Sequence, residues 1–281
     1  MGHCSFGGDL MADETETIVQ GTQSLARALA VIEAVSLGCS DLAAIGKALG
    51  TSRSTTHRLT SFLQRNGFLR HVEGRGYVLG AKLIALGATA LAQMPLTSLA
   101  RPHIERLGQQ TGDTIHLSIR DGDSVLYVDK IPGVKGLEMR SRVGLHKPMA
   151  ITGTGKAMML DASEEEWARL YSLSHREIII AEVPPPGFLQ WEEYRQSMRD
   201  YRELGLTMEF EENEASIRCV AAPIRDARGG IVAGVSVAST VPYMSKERMQ
   251  ALAPAVTGCA TAISRELGFV PYRRDAPSIS K

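Results

Sequence analysis

The stretch from Ser40 to Gly67, SDLAAIGKALGTSRSTTHRLTSFLQRNG, reads as two short amphipathic helices joined by a tight turn at Gly50-Thr51-Ser52. Ser40 is placed to cap the first helix and Asp41 suits its positive end. Leu42, Ile45 and Leu49 recur at helical spacing on one face, and Gly50 stops the helix. Ser52 is placed to cap the second helix. Its expected inward stripe is Thr55, Leu59, Phe62 and Leu63, which leaves Arg53, Ser54, His57 and Arg58 on the other face. This is the pattern of a helix-turn-helix, whose second helix enters the major groove of DNA. The expected DNA contacts are Ser52, Arg53, Ser54, Thr56, His57 and Arg58. Arg and Ser at the start of such a helix reach phosphates and base edges, and the helix amino terminus itself attracts a phosphate.

The flanks extend this unit. Thr22 to Leu37 is a preceding helix with Leu25, Ala28, Leu29, Ile32 and Val35 expected inward, which completes a three-helix core. After Gly67 come Phe68 to His71, a Glu73-Gly74-Arg75-Gly76 turn and Tyr77 to Leu79, a hairpin of the kind that forms the wing of a winged helix, with Arg75 at its tip. The competing reading is a plain helical bundle with a hairpin. Charge separates the two: residues 21 to 80 hold seven basic and three acidic residues, a net +4 on a chain whose formal charge is zero. A cationic module on a neutral chain points to a polyanionic partner.

The chain has 281 residues, 44% of them hydrophobic, enough for this small unit and a second domain with its own core. No run approaches the ~20 apolar residues of a membrane span, and the opening MGHCSFGGDLMADETETIVQ has neither the basic head nor the apolar centre of a signal peptide. It reads as a flexible acidic arm, and Met11 serves as well as Met1 for a natural start. Cys4, Cys39, Cys219 and Cys259 are far apart with no paired spacing, so no metal is expected, and a reducing, cytoplasmic compartment is.

Ala81 to Ala92 is an apolar helix ended by Pro95 and is expected to pack against a second copy of itself, the alternative being rest on its own domain. Beyond it the pattern is α/β. Ser98 to Gln110 is a helix with Ile104 and Leu107 inward; Thr114 to Arg120 and Ser124 to Lys130 are strands across Asp121-Gly122-Asp123; Leu137 to Arg140 is a third strand. Thr152-Gly153-Thr154-Gly155-Lys156 is not a P-loop, because Lys156 is followed by Ala and the first glycine of that motif is missing. Small residues opening a helix still leave amide groups aimed outward, a site for a carboxylate or phosphate; the alternative is a tight helix start with no ligand. Helices over Ser163 to Tyr171, Leu189 to Leu204 and Ser245 to Leu267 complete the domain, with a rigid turn at Pro184-Pro185-Pro186-Gly187.

Ile217 to Ile224 and Ile231 to Ser239 form a hairpin. Closing it at Ile224 with Ile231 sets Cys219 opposite Ser236, Ala221 opposite Gly234 and Ile217 opposite Ala238, a sheet face of small side chains. The unfilled volume there is expected to hold a ligand rather than a close helix. Cys219 reads as a wall residue, since no base lies near it in sequence, and Glu209 and Glu211 are expected to share one side of a strand.

GTQSLARALAVIEAV, DLAAIGKALGTSRSTTHRL, LQRNGFLRH and YVLGAKLIALG resemble the amino-terminal domain of IclR-type bacterial transcription regulators. PHIERLGQQTGDTIHLSIRDGDSVLYVDKI, MRSRVG, TGTGKAMML and IRCVAAPIRDARGGIVAGVSVAS carry the resemblance to about Gly268. It implies an α+β chain with a flexible arm over 1–20, a winged helix-turn-helix over 21–80, a linker helix over 81–97, a GAF-like effector-binding domain with an antiparallel sheet over 98–270, and a tail over 271–281. It also implies that Met139, Gly153, Thr154, Glu209, Cys219 and Ser236 line an effector cavity. Ala238, where a second serine is often found, and Ala215-Ser216, where Gly is common, depart from the pattern.

The expected protein is a cytoplasmic homodimer or dimer of dimers that binds an operator in double-stranded DNA, without cofactor or membrane. Its effector is a small carboxylate, a sugar acid ahead of an aromatic acid because few aromatic side chains are in sight, and its target is a catabolic operon. The rivals are an enzyme with an appended DNA-binding domain, for which the scattered His103, His116, His146 and His175 supply no acid/base or metal constellation, and an effector-independent scaffold.

Overall fold

The computed structural model describes residues 22–93, 95–135, 139–180 and 184–270, and the chain divides into two compact units between residues 93 and 95. In the first, α1 (Gln23–Ser36), α2 (Leu42–Leu49) and α3 (Arg53–Arg65) precede a two-stranded antiparallel wing, β1 (Leu69–Val72) and β2 (Gly76–Leu79), and α4 (Ala81–Ala92). Its core is Val31, Ala34, Val35, Ile45, Leu63 and Leu69. Leu25 and Leu29, expected inward, are instead 61% and 54% exposed, because α1 turns the next helical row toward its neighbours. Asp41, not Ser40, caps α2: its carboxylate accepts from the amides of Ala43 and Ala44 at 2.8 Å. The Ser40 carbonyl has another task, accepting from the Tyr77 amide at 2.7 Å, and a Cβ on Gly76 would lie 2.1 Å from it. The wing is thereby fastened to the start of α2, and only glycine fits there. Gly50, with φ 61°, ends α2 in the left-handed conformation.

The second unit is a six-stranded antiparallel sheet in the order β5-β4-β3-β8-β7-β6, formed by β3 (Thr114–Asp121), β4 (Ser124–Ile131), β5 (His146–Pro148), β6 (Thr207–Phe210), β7 (Ile217–Arg225) and β8 (Ile231–Thr240). The third strand expected over Leu137 to Arg140 falls partly outside the described residues; Met139 and Arg140 are irregular, and β5 takes the place beside β4. On one face α5 (Pro95–Thr111) and α9 (Lys246–Glu266) bury Ile104, Leu107, Val256 and Ile263 against Leu117, Val220, Val235 and Val237. On the other lie α6 (Gly153–Met158), α7 (Glu164–Ile180) and α8 (Trp191–Leu204), around Trp167, Leu170, Tyr194 and Met198.

The β7–β8 register differs from expectation by two residues: Cys219 faces Ala238, Ala221 faces Ser236 and Ile224 faces Ala233, with a bulge between Ile224 and Arg225. A shift of two leaves every side chain on its original face. The small-residue face is therefore real, but much of it is filled by a helix. A Cβ on Gly153 would lie 2.3 Å from Cys219 Sγ, and one on Gly234 would lie 2.9 Å from the Thr154 carbonyl, so these glycines admit α6 onto the sheet. The volume that remains lies at the edge of α6.

Candidate functional site

The α3 amino terminus is built by Ser52, whose hydroxyl accepts from the Thr55 amide at 3.3 Å. Beyond that cap Arg53, Ser54, His57 and Arg58 stand exposed on one side, and Arg75 is exposed in the wing turn. Thr56 is not with them. It is fully buried, its hydroxyl donating to the Ser52 carbonyl at 3.0 Å and lying 2.9 Å from the Thr51 hydroxyl. The inward row of α3 is Thr56, Thr60 and Leu63, whereas Phe62 is 56% exposed. Threonines occupy that row because each satisfies its hydroxyl inside the helix, Thr60 on the Thr56 carbonyl at 3.0 Å. The outer face is thus a small set of cations and hydroxyls around a helix amino terminus, the chemistry that recognises phosphates and base edges.

In the second unit a cavity of about 630 Å³, counting the open solvent at its mouth, lies between α6 and the sheet. Met139, Gly153, Thr154, Glu209, Cys219 and Ser236 all line it. Sequence reasoning missed His116, Tyr127, Arg140, Ser141, Lys147 and Asn213, which line it too. For His116 a signal existed. In Thr114 to Asp121 the polar side chains of His116 and Ser118 alternate with buried Ile115 and Leu117, and β3 pairs with β8 so that His116 faces Ser236 directly. The others come from β4, β5 and loops whose place only the fold determines.

Glu209 is buried, and its carboxyl accepts from the amides of Glu212 at 2.8 Å and Asn213 at 3.3 Å. Burial, then the neighbouring charge of Glu212, pushes it up to about 8, which favours its protonated form at neutral pH. Glu211 does not share its side: with φ 66° it leaves the strand, and its carboxylate pairs with Arg218 at 3.0 Å. His116 is held neutral, brought down to about 3 by burial and the charge of Lys130, with Nε2 2.7 Å from the Ser141 hydroxyl and the ring stacked on Tyr127 at 4.7 Å. Lys130 donates to the carbonyls of Met139 at 2.9 Å and Ser141 at 2.7 Å, fastening that wall to β4. Burial, with Glu209 beside it, raises the Cys219 thiol well above its ordinary range, which keeps it a neutral wall residue.

The helix start at α6 is less open than the sequence implies. The Thr152 hydroxyl takes the Gly155 amide at 3.2 Å, and the Thr154 hydroxyl accepts from Ser118 at 3.0 Å. The fold brings His146 to Asp121 and His103 to Glu266, both away from the cavity lining, and no cluster of metal-ligating side chains occurs among the described residues. No helix among those residues is long and apolar enough to cross a membrane.

Residues 24–73 match the model of the IclR helix-turn-helix domain, and residues 88–265 match that of the bacterial transcriptional regulator IclR C-terminal domain. The chain is 33% identical over 271 residues to the DNA-binding transcriptional repressor YiaJ of Escherichia coli K12, covering 92% of each. Its fold matches the crystal structure of the Thermotoga maritima IclR with a TM-score of 0.69 at 26% identity, over 88% of this chain and 99% of that one. It also matches an IclR homolog from Microbacterium hydrocarbonoxydans, solved in complex with 4-hydroxybenzoate, with a TM-score of 0.72 at 22% identity, over 87% of this chain and 98% of the other. With a winged helix-turn-helix, an α+β effector domain and likeness along nearly its whole length, the chain belongs to the IclR family of bacterial transcriptional regulators.

Proposed function

We propose that the chain regulates transcription from an operator that it grips through Ser52, Arg53, Ser54, His57 and Arg58 of α3 and Arg75 of the wing. A small hydroxylated carboxylate in the cavity changes that grip. The observation that carries the reading is the convergence on one cavity of Met139, Gly153, Thr154, Glu209, Cys219 and Ser236, which lie up to 97 residues apart in sequence. Effector binding shifts the balance between DNA-competent and DNA-incompetent arrangements by its difference in affinity for the two.

The chemistry of the wall supports an acid bearing hydroxyl or carbonyl groups. Protonated Glu209 donates, and Ser236 and Asn213 line the same space. The IclR homolog complexed with 4-hydroxybenzoate has the same fold. His116 and Tyr127 supply the stacked rings that sequence reasoning lacked, which removes the reason for ranking a sugar acid first. Exposed Leu25 and Leu29 on α1 and Ile84 and Leu86 on α4 supply an apolar surface for a second copy, as a two-half-site operator requires. A catabolic operon is the chain's proposed target and the cytoplasm its proposed compartment. Light scattering on the purified chain tests the assembly: a dimer or dimer of dimers agrees, and a monomer at working concentration contradicts it. Calorimetry with sugar acids, keto acids and aromatic acids tests the effector class, and binding of neutral or cationic compounds alone contradicts it.

A further inference from the structure

The cavity is lined by two cations whose side chains have no partner among the described residues. Of the basic side chains around it, Lys130 is committed to the carbonyls of Met139 and Ser141, Lys156 to Glu212 and the Met208 carbonyl, and Arg218 to Glu211. Arg140 and Lys147 both line the cavity, and their side chains have no hydrogen bond or ion pair with any described residue. Lys147 sits on β5, paired with Val125 of β4, so its backbone is held by the sheet while its ammonium is unpartnered. Deeper in the wall, the hydroxyls of Tyr127 and Ser236 belong to side chains more than nine-tenths buried and also have no partner among the described residues. Neither hydroxyl is sealed off, since the enclosed polar atoms without a partner among the described residues are those of Tyr194 and Arg218. These groups therefore open into the cavity.

We infer that Lys147 and Arg140 form the carboxylate-recognising end of the effector site, with the hydroxyls of Tyr127 and Ser236 meeting the rest of the molecule. The inference rests on the reading that the cavity takes a small carboxylate, and it moves the head group away from the α6 amino terminus. That terminus belongs to a helix of six residues whose Gly155 amide is already taken by Thr152. Among the described lining residues, two cations without a partner and a protonated Glu209 outweigh the carboxylate of Glu214, which favours an anion over a zwitterion or a neutral sugar. The half-buried Lys147 ammonium and the exposed Arg140 guanidinium at the cavity mouth form charge-assisted hydrogen bonds with a carboxylate at little cost in desolvating existing pairs.

The test uses the full chain with pyruvate, D-gluconate and 4-hydroxybenzoate, each beside its neutral amide, read by thermal shift and calorimetry up to tens of millimolar. The inference expects at least one acid to bind the wild type while its amide does not. Lys147→Gln and Arg140→Gln should each weaken that acid about 10-fold or more at unchanged melting temperature of the free chain, and Lys147→Arg should restore most of the loss. Tyr127→Phe should weaken the acid severalfold without making its amide bind. If an acid binds the wild type and both Gln variants equally, the two cations are not the head-group site and the inference fails while the effector reading stands. If no acid binds the wild type, both fail together.

Discussion

The ammonium of Lys156 lies 2.5 Å from the carboxylate of Glu212, and both side chains are almost wholly enclosed, at 1% and 3% exposure. Lys156 also donates to the Met208 carbonyl at 2.7 Å, and its ammonium lies 5.4 Å from the centre of the Tyr201 ring. Burial opposes its charge, but Glu212, with Tyr201 and Glu209, more than offsets this and holds its pKa above the ordinary lysine value. The pair ties α6 to the loop after β6, and so joins two elements that border the cavity.

Removing one partner should therefore cost far more than removing both. Lys156→Met or Glu212→Gln alone leaves a buried charge unpaired and is expected to destabilise by about 3–5 kcal/mol. The double variant Lys156→Met/Glu212→Leu should recover much of that loss. Denaturant unfolding of the three variants measures it, and additive single losses would contradict the arrangement.

Glu209 makes a prediction about pH. Its carboxyl is raised from 4.5 to about 8 by burial and then by Glu212. Between those values the unfolded chain releases this proton and the folded chain keeps it, so the contribution of Glu209 to stability falls as pH rises from about 4.5 to 8 and levels off above. Glu209→Gln lacks that slope. The melting temperature of the variant relative to wild type should climb between pH 5 and pH 8.5, by roughly 2–4 °C for each kcal/mol lost by the wild type. A gap independent of pH would show that Glu209 ionises normally.

On α3, exposure separates the proposed DNA contacts from support. Arg53→Ala and Arg58→Ala touch exposed side chains and should leave folding intact while weakening operator binding by roughly 1–3 kcal/mol where a base contact is lost. Thr56→Ala removes a buried hydroxyl held by Thr51 and Ser52, and should lower the stability of the unit by about 1 kcal/mol. Fluorescence anisotropy at fixed salt, beside thermal melts, checks both. Unchanged affinity in both arginine variants would remove α3 from the interface.

Much of this was legible because local rules carried it. Gly50, Ser52 and Ser245 mark helix ends by side-chain and backbone chemistry that needs no tertiary information, and the strands of the second unit announce themselves by alternation. The β7–β8 face survived a register error because the error was even. What failed depended on partners. Helical spacing marks the apolar row of Leu25 and Leu29 but not what covers it, and a threonine such as Thr56 looks polar in sequence yet is satisfied inside its own helix. Glu211 defeats the alternation rule by a single positive φ. Lys147 and Tyr127 reach the cavity through strands whose order no local pattern states.

The central claim is that a small acid in the second unit alters how the first unit holds DNA. A labelled fragment from the region upstream of the chain's own gene, titrated with the full-length protein at fixed salt with and without pyruvate, D-gluconate or 4-hydroxybenzoate, tests it most directly. The account predicts that one of these acids changes the operator Kd by about 5–150-fold, and that the change is lost in Ser236→Ala combined with Glu209→Gln. An operator Kd that no acid moves, measured with a wild-type protein that binds the fragment specifically, would contradict it.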